Sequence, residues 1–306
     1  MKPTRWTLAV LGMLCLANGT AASAAREEEY ALKCRSNDRV LEIYAAHPVD
    51  PARCAAIVAR VMKAFAFVAG RSDWKDRGPL TARPLQFALV GEDAINVLGY
   101  AQGPDLMVMK DSYLDKPLSE GTLAHELAHI QDARQLRGKR MPSFLFEGRA
   151  LVIGQAYRLH VGQSPGDYDR QMARSAATFT AEQAMELLDN FRGHGWNNQA
   201  IGTVVVEYMR TRWKGGIPDV IPRLSRLIER IAAGRDFEQA FADEFGTSAE
   251  AFAEAFAAHL RATQGDTAAR LQGTMWQSVG TGSGTAAAPR DAYVSDVVDL
   301  LGELLK

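Results

Sequence analysis

The sequence predicts an α+β protein that is mostly helical, with a small N-terminal sheet and a helical C-terminal part. The segments with strand character all precede residue 111. A long helical pattern follows at 119–137, and apolar residues recur at helical spacing in most segments past Gly162. A length of 306 residues with 47% hydrophobic content suits one substantial domain with extensions.

Three N-terminal segments are predicted strands, at 39–45, 85–90 and 105–110. A helix begins at Asp50-Pro51, with proline in the first helical position, and ends at Gly70. Two connecting segments are also assigned: a polar loop at 72–83 and a short helix at 93–98.

The helix predicted at 119–137 contains His125, Glu126 and His129 in the pattern H-E-x-x-H. Residues four apart share one helix face, so the two imidazoles can hold one ion with Glu126 beside them. Zinc accepts such ligands and activates a water when one position stays open. The alternative is a solvated face that carries two histidines and a glutamate.

The ends of this helix carry clear signals. Ser119 is the expected N-cap, Arg134 and Arg137 occupy the last turns, and Gly138 follows. Pro142 prevents any continuation.

A third ligand is available in a second helix, which is expected to be capped by Ser143 and to run to about His160. Glu147 would lie one turn inside it, and 17 residues separate Glu147 from His129. This gap suits a helix–turn–helix return to one metal ion with two histidines and one carboxylate.

These motifs resemble the gluzincin metallopeptidases, and in particular their small bacterial peptidase-MA-like branch. H-E-x-x-H at 125–129, P-S-F at 142–144 and E-G-R-A at 147–150 carry the resemblance. The segment 237–248 is similar to the paired helices that close such domains, and the resemblance covers about 40–262.

The resemblance implies a zincin-like domain at 25–262 that binds one zinc ion through His125, His129 and Glu147. Glu126 would be the general base in hydrolysis of a peptide bond, and the partner would be a peptide or protein substrate. It also implies a sheet edge beside the cleft, for which 105–110 is the candidate. The alternative is an interior strand, because L-M-V-M at 106–109 does not alternate.

Three residues are candidates for stabilising the oxyanion that develops during hydrolysis: Tyr157, His194 and Tyr208. The related enzymes often carry a tyrosine shortly before the segment equivalent to 205–209, where this chain has Asn198 and Gln199, so this role stays open. Asp132 is interpreted as a solvated charge. The alternative is that its side chain supports the metal ligand His129.

The remaining C-terminal segments are predicted helices, at 181–191, 201–213, 220–233, 236–245 and 248–262. The V-V-V run at 204–206 leaves the second ambiguous between a helix and a buried apolar segment. Residues 263–291, rich in Gly, Thr, Ala and Ser, are expected to be a flexible linker before an amphipathic helix at 292–306.

Residues 1–24 have the pattern of a signal peptide: Lys2 and Arg5, an apolar run of about a dozen residues, and A-S-A at 22–24. Lipidation at Cys15 is disfavoured by the bulky Leu14. We therefore expect an exported protein, periplasmic or secreted, without a membrane span in its mature form.

After cleavage, Cys34 and Cys54 remain, and in an oxidising compartment they are expected to form a disulfide. The alternative is a pair of buried free thiols. A formal net charge of −1 gives no reason to expect a nucleic-acid partner. Two other functions stay open: an inactive zincin-like scaffold, and an amidase acting on cell-wall peptides. The oligomeric state is not indicated.

Export makes the first testable prediction. N-terminal sequencing of the exported protein should give a first residue near Ala25, because A-S-A precedes it. An exported protein that still begins with Met1 would show that 1–24 is not a cleaved signal.

Overall fold

A computed structural model describes residues 30–71, 83–163 and 217–273, and seven single residues between 202 and 213. The predicted signal peptide, nearly all of the predicted loop at 72–83, the predicted helices at 181–191 and 292–306, and His194 lie outside the described residues. So does the predicted linker after Gly273. The described part is α+β and mostly helical, as the sequence predicts.

The N-terminal part forms a five-stranded mixed sheet. Its central strands run parallel and its two outer pairs are antiparallel. In spatial order the strands are β1 (Ala31–Arg35), β2 (Leu41–Ala45), β3 (Leu85–Val90), β5 (Leu106–Lys110) and β4 (Gly99–Gln102).

The three predicted strands are the interior strands of this sheet. The edge strands β1 and β4 were not predicted, since β4 is four residues long and has no alternating pattern. The expectation that 105–110 is an edge is wrong, because β5 pairs with both β3 and β4. Met107, Val108 and Met109 are all at most 2% exposed, which explains the unbroken apolar run.

The helix predicted at 93–98 is also wrong. The described backbone there forms turns and bends, starting with a turn in which the Ala94 N–H donates to the Gly91 carbonyl. Val97 and Leu98 remain 51% and 38% exposed, so no apolar helical face is buried.

Seven helices complete the labelled elements of the described chain: α1 (Pro51–Arg71), α2 (Asp111–Leu114), α3 (Ser119–Leu136), α4 (Ser143–His160), α5 (Ile217–Ala232), α6 (Phe237–Phe245) and α7 (Ala249–Gly273). The described residues Val205 and Val206 are helical and buried. Helix α7 passes its expected end at Ala262 and reaches into the predicted linker.

Hydrogen bonds from α1, and not a capping serine, stabilise the start of α3. Leu118 is the N-cap, and the Ser119 hydroxyl lies within 2.7 Å of the Leu114 carbonyl. Arg60 donates to Ser119 Oγ at 2.6 Å and to Glu120 Oε1 at 2.8 Å. Both predicted serine caps are therefore wrong by one residue, since Pro142 precedes Ser143 as the N-cap of α4.

Helices α3 and α4 approach each other to backbone contact. A Cβ atom on Gly154 would lie 2.7 Å from the Gly121 carbonyl oxygen. Nearer the start of α4, a Cβ atom on Gly148 would lie 2.3 Å from the carbonyl oxygen of Gly202. Because such distances exclude any side chain, Gly121 and Gly154 let α3 and α4 meet, and Gly148 lets α4 meet the helical residue Gly202.

Cys34 in β1 and Cys54 in α1 are joined by a disulfide with a Cα–Cα distance of 6.3 Å. This is the pairing expected from the sequence, and it ties one sheet edge to the first helix. Among the described helices, none combines the length and apolar character that crossing a bilayer requires.

The helix contact gives the second prediction. Gly154→Ala should lower the free energy of unfolding by about 1–3 kcal/mol, because its Cβ meets the backbone of α3. Urea denaturation followed by circular dichroism, in EDTA, measures the change.

The matched control is Gly70→Ala in α1, where a Cβ would meet nothing within 4 Å. It should be neutral or stabilising by up to about 1 kcal/mol. Equal effects of the two substitutions would show that the α3–α4 contact is not close.

Candidate metal centre

Helix α3 presents His125 and His129 one turn apart on the side that faces α4. The two rings are nearly perpendicular, with centroids 4.6 Å apart, and their Nε2 atoms are separated by 3.1 Å. His125 and Glu126 are buried, and the His129 side chain is 18% exposed. The spacing of four residues therefore brings the two imidazoles together, as the sequence predicts.

Helix α4 brings Glu147 to the same point. Its Oε2 atom lies 3.3 Å from His125 Nε2 and 3.5 Å from His129 Nε2. No described group donates a properly aligned hydrogen bond to this buried oxygen. Three donor atoms from two helices thus form a nearly equilateral triangle.

The triangle has the size that a tetrahedral ion requires. With zinc–ligand bonds of about 2.0–2.1 Å, two ligands at the tetrahedral angle lie about 3.3–3.4 Å apart. Donor atoms of Glu126 also lie within 4.8 Å of both imidazoles. The shorter distances favour Glu147 as the third ligand and leave Glu126 beside the centre.

The electrostatics favour a cation at this point. Burial opposes the charge of Glu147, but the two imidazoles outweigh burial and hold the pKa of its carboxyl well below the usual range. Burial likewise opposes protonation of His129, but Glu147, with Glu126 and Asp132, raises its pKa to about 9. A metal ion would therefore replace a proton held between these groups.

Behind the triangle lies a buried ion pair that the sequence did not predict. Asp132 accepts a 2.6 Å hydrogen bond from Arg149, and both side chains are fully buried. Arg149 also lies 3.2 Å from Gln131 Oε1 and 3.5 Å from Ser225 Oγ. The interpretation of Asp132 as a solvated charge is therefore wrong.

Residues of the centre line two cavities. The larger, of about 1230 Å³, is lined by His129 and Glu147, and the smaller, of about 330 Å³, by His125 and Glu126. Strand β4 borders both, since Gly99 lines the smaller cavity and Ala101 the larger.

Neither tyrosine candidate lines a cavity at the donor triangle. Tyr157 is fully buried, packs on Phe67 with ring centroids 5.2 Å apart, and lines neither cavity. Burial and the nearby Glu120 raise its pKa to about 12.

Tyr208 packs among Phe252, Phe256 and His259 in the C-terminal helical part. Burial raises its pKa. The third candidate, His194, is outside the described residues.

Several residues near the centre were missed from the sequence. Tyr113 and Arg158 line the smaller cavity with Glu126, and Tyr113 Oη lies 3.2 Å from Thr122 Oγ1. Arg149 had one available signal, a cation two residues after Glu147 within the mainly apolar first half of the helix. Its partner could not be inferred, since the pairing depends on how α3 and α4 cross.

Comparison with protein-family models, with curated proteins and with solved structures finds no match for this chain. The interpretation of the centre therefore rests on the residues and distances above.

The buried pair gives the third prediction. Asp132→Asn should lower the free energy of unfolding by about 3–5 kcal/mol, because it leaves the Arg149 charge buried and unpaired. The double substitution Asp132→Leu with Arg149→Met should recover much of that loss. Urea denaturation of the metal-free proteins measures both.

Asp115→Asn is the control, since Asp115 is 65% exposed in its ion pair with Arg53. Its effect should stay below about 1 kcal/mol. A loss at Asp132 no larger than the loss at Asp115 would contradict the structural importance of the buried pair.

Proposed function

We propose that this chain is an exported zinc-dependent metallopeptidase of the gluzincin type. The observation that carries the proposal is the donor triangle of His125, His129 and Glu147, with sides of 3.1, 3.3 and 3.5 Å. Glu126 stands next to it and lines a cavity. These four residues supply three ligands and one base, which is the set that zinc-dependent hydrolysis requires.

Each residue has a distinct part in the reaction. A zinc ion bound by the three ligands would supply Lewis acidity, polarising a carbonyl and acidifying a water. The Glu126 carboxylate takes a proton from the attacking water and delivers it to the nitrogen of the leaving amine. Burial of Glu126 and His125 limits access of bulk water to this exchange.

The substrate backbone can pair with β4. Within the described residues this strand is an edge of the sheet, and it passes from the smaller cavity at Gly99 to the larger one at Ala101. An extended peptide added at such an edge gains main-chain hydrogen bonds and places alternate side chains in pockets. The pairing would carry a peptide across the donor triangle.

The position of the base sets the direction of the peptide. Glu126 lines the smaller cavity and is not part of the larger one. Since Glu126 protonates the leaving amine, the residues after the scissile bond lie on the side of the smaller cavity. The residues before it lie in the larger cavity, and the substrate runs antiparallel to β4.

The fourth prediction separates an enzyme from a metal-binding scaffold. Glu126→Gln should keep about one zinc per chain and lose on the order of 10²–10⁴-fold in turnover of a quenched peptide library, because it removes only the base. Glu147→Ala should lose zinc and activity together, because a ligand is gone. Elemental analysis and fluorescence assays measure the two effects.

Glu254→Gln on α7 is the control, because its side chain is exposed and lines neither cavity. It should match the wild type in both measurements. Wild-type turnover by Glu126→Gln would refute the mechanism. Bound zinc with no cleavage of any peptide would instead favour a binding protein, and release of amino groups from cell wall alone would favour an amidase.

A further inference from the structure

Four cationic side chains line the larger cavity, and two of them are held by contacts within the fold. Arg134 donates to the Pro104 carbonyl at 2.6 Å and to Asp105 at 2.9 Å, and Arg83 lies 3.6 Å from the same aspartate. Arg137 and Lys139, which also line the cavity, have no ion-pair partner in the described structure. We call residues 137–139, between α3 and α4, the basic turn.

One carboxylate on the opposite wall partly offsets this charge. Glu229 of α5 lines the same cavity, is exposed, and forms no ion pair within the described residues. The other two acidic residues of the lining are engaged, Asp105 with Arg134 and Glu147 with the histidines. The cavity wall therefore keeps a net positive end at the basic turn.

The backbone of Arg137 is unusual for an arginine. It is the C-cap of α3 in the left-handed conformation, with φ 50° and ψ 43°. Glycine is the residue that normally occupies this position, because a side chain strains it. The left-handed backbone therefore does not account for the presence of arginine at this position. A role of the Arg137 side chain at the cavity wall does account for it.

The basic turn lies at a distance from the donor triangle that a bound peptide can span. Arg137 follows His129 by eight residues, which places it about 12 Å farther along the helix. An extended peptide advances about 3.3 Å per residue, so about 12 Å corresponds to three or four residues. Arginine and glutamate side chains are long, so the acidic substrate residue can lie two to four residues from the scissile bond and still reach Arg137.

We propose that the basic turn selects substrates with acidic side chains two to four residues before the scissile bond. Carboxylates at these positions would contact the Arg137 guanidinium and the Lys139 ammonium in the larger cavity. The inference rests on the proposed peptidase function, which sets the direction of the peptide. It adds the substrate class, an acidic segment on the acyl side.

Two quenched peptides test the proposal, identical except for Glu or Gln at the second, third and fourth positions before the scissile bond. At low ionic strength the wild type should cleave the Glu peptide with a kcat/KM about threefold to tenfold higher, since exposed charge pairs contribute up to about fivefold each. In 0.5 M NaCl the difference should shrink, because salt screens exposed charges.

Variants assign the effect to the basic turn. Arg137→Gln with Lys139→Gln should reduce cleavage of the Glu peptide more than cleavage of the Gln peptide. Arg137→Lys keeps the charge with the same backbone demand, and it should retain most of the preference. Arg140→Gln is the control, because Arg140 is exposed but does not line the cavity.

The outcomes separate this proposal from the peptidase proposal. Equal cleavage of the two peptides by the wild type would overturn the acidic preference and leave the peptidase intact. If neither peptide is cleaved, fluorescence anisotropy of labelled, unquenched versions on Glu126→Gln protein decides. Tighter binding of the Glu peptide that disappears in the Arg137/Lys139 double variant would support the basic turn, and equal binding would overturn it.

Discussion

The close contact between α3 and α4 is the constraint on which the centre depends. Donor atoms on α3 and α4 lie within 3.5 Å of one another, beside a point where the backbones of the two helices are in contact. Gly121 and Gly154 provide that contact, and Gly154 also lies against His125, whose Cβ would be 3.4 Å from a Cβ on Gly154. The geometry of the donor triangle is thus a property of helix packing as much as of the three residues that form it.

The charges of α3 and α4 are complementary at two positions along the helices. Helix α3 contributes a base, His129, followed by an acid, Asp132, and α4 contributes an acid, Glu147, followed by a base, Arg149. Each acid faces the base of the other helix, so a shift of one helix along the other would separate both pairs. Because these groups are buried or nearly so, such a shift would leave unpaired charge in the interior.

The sequence could predict what depends on short spacing. H-E-x-x-H places two imidazoles on one helix face whatever surrounds it, and the three predicted strands are interior strands with apolar character. What it could not predict depends on pairing between distant segments. Residues 99–102 form strand β4 because they pair with β5. Asp132 can be buried because Arg149 forms an ion pair with it. Tyr157, a plausible oxyanion donor by position, is turned into the core by the side of α4 on which it lies.

The two edges of the sheet differ in how they are held. β1 is fastened covalently, because Cys34 is bonded to Cys54 of α1. β4 has only four residues, all of them at least partly accessible, and it depends on hydrogen bonds to β5. Local opening of a fold is least costly where few buried contacts are lost. Backbone amides of β4 should therefore exchange with solvent sooner than those of the buried strand β3, so that the edge beside the cavities opens more readily than the middle of the sheet.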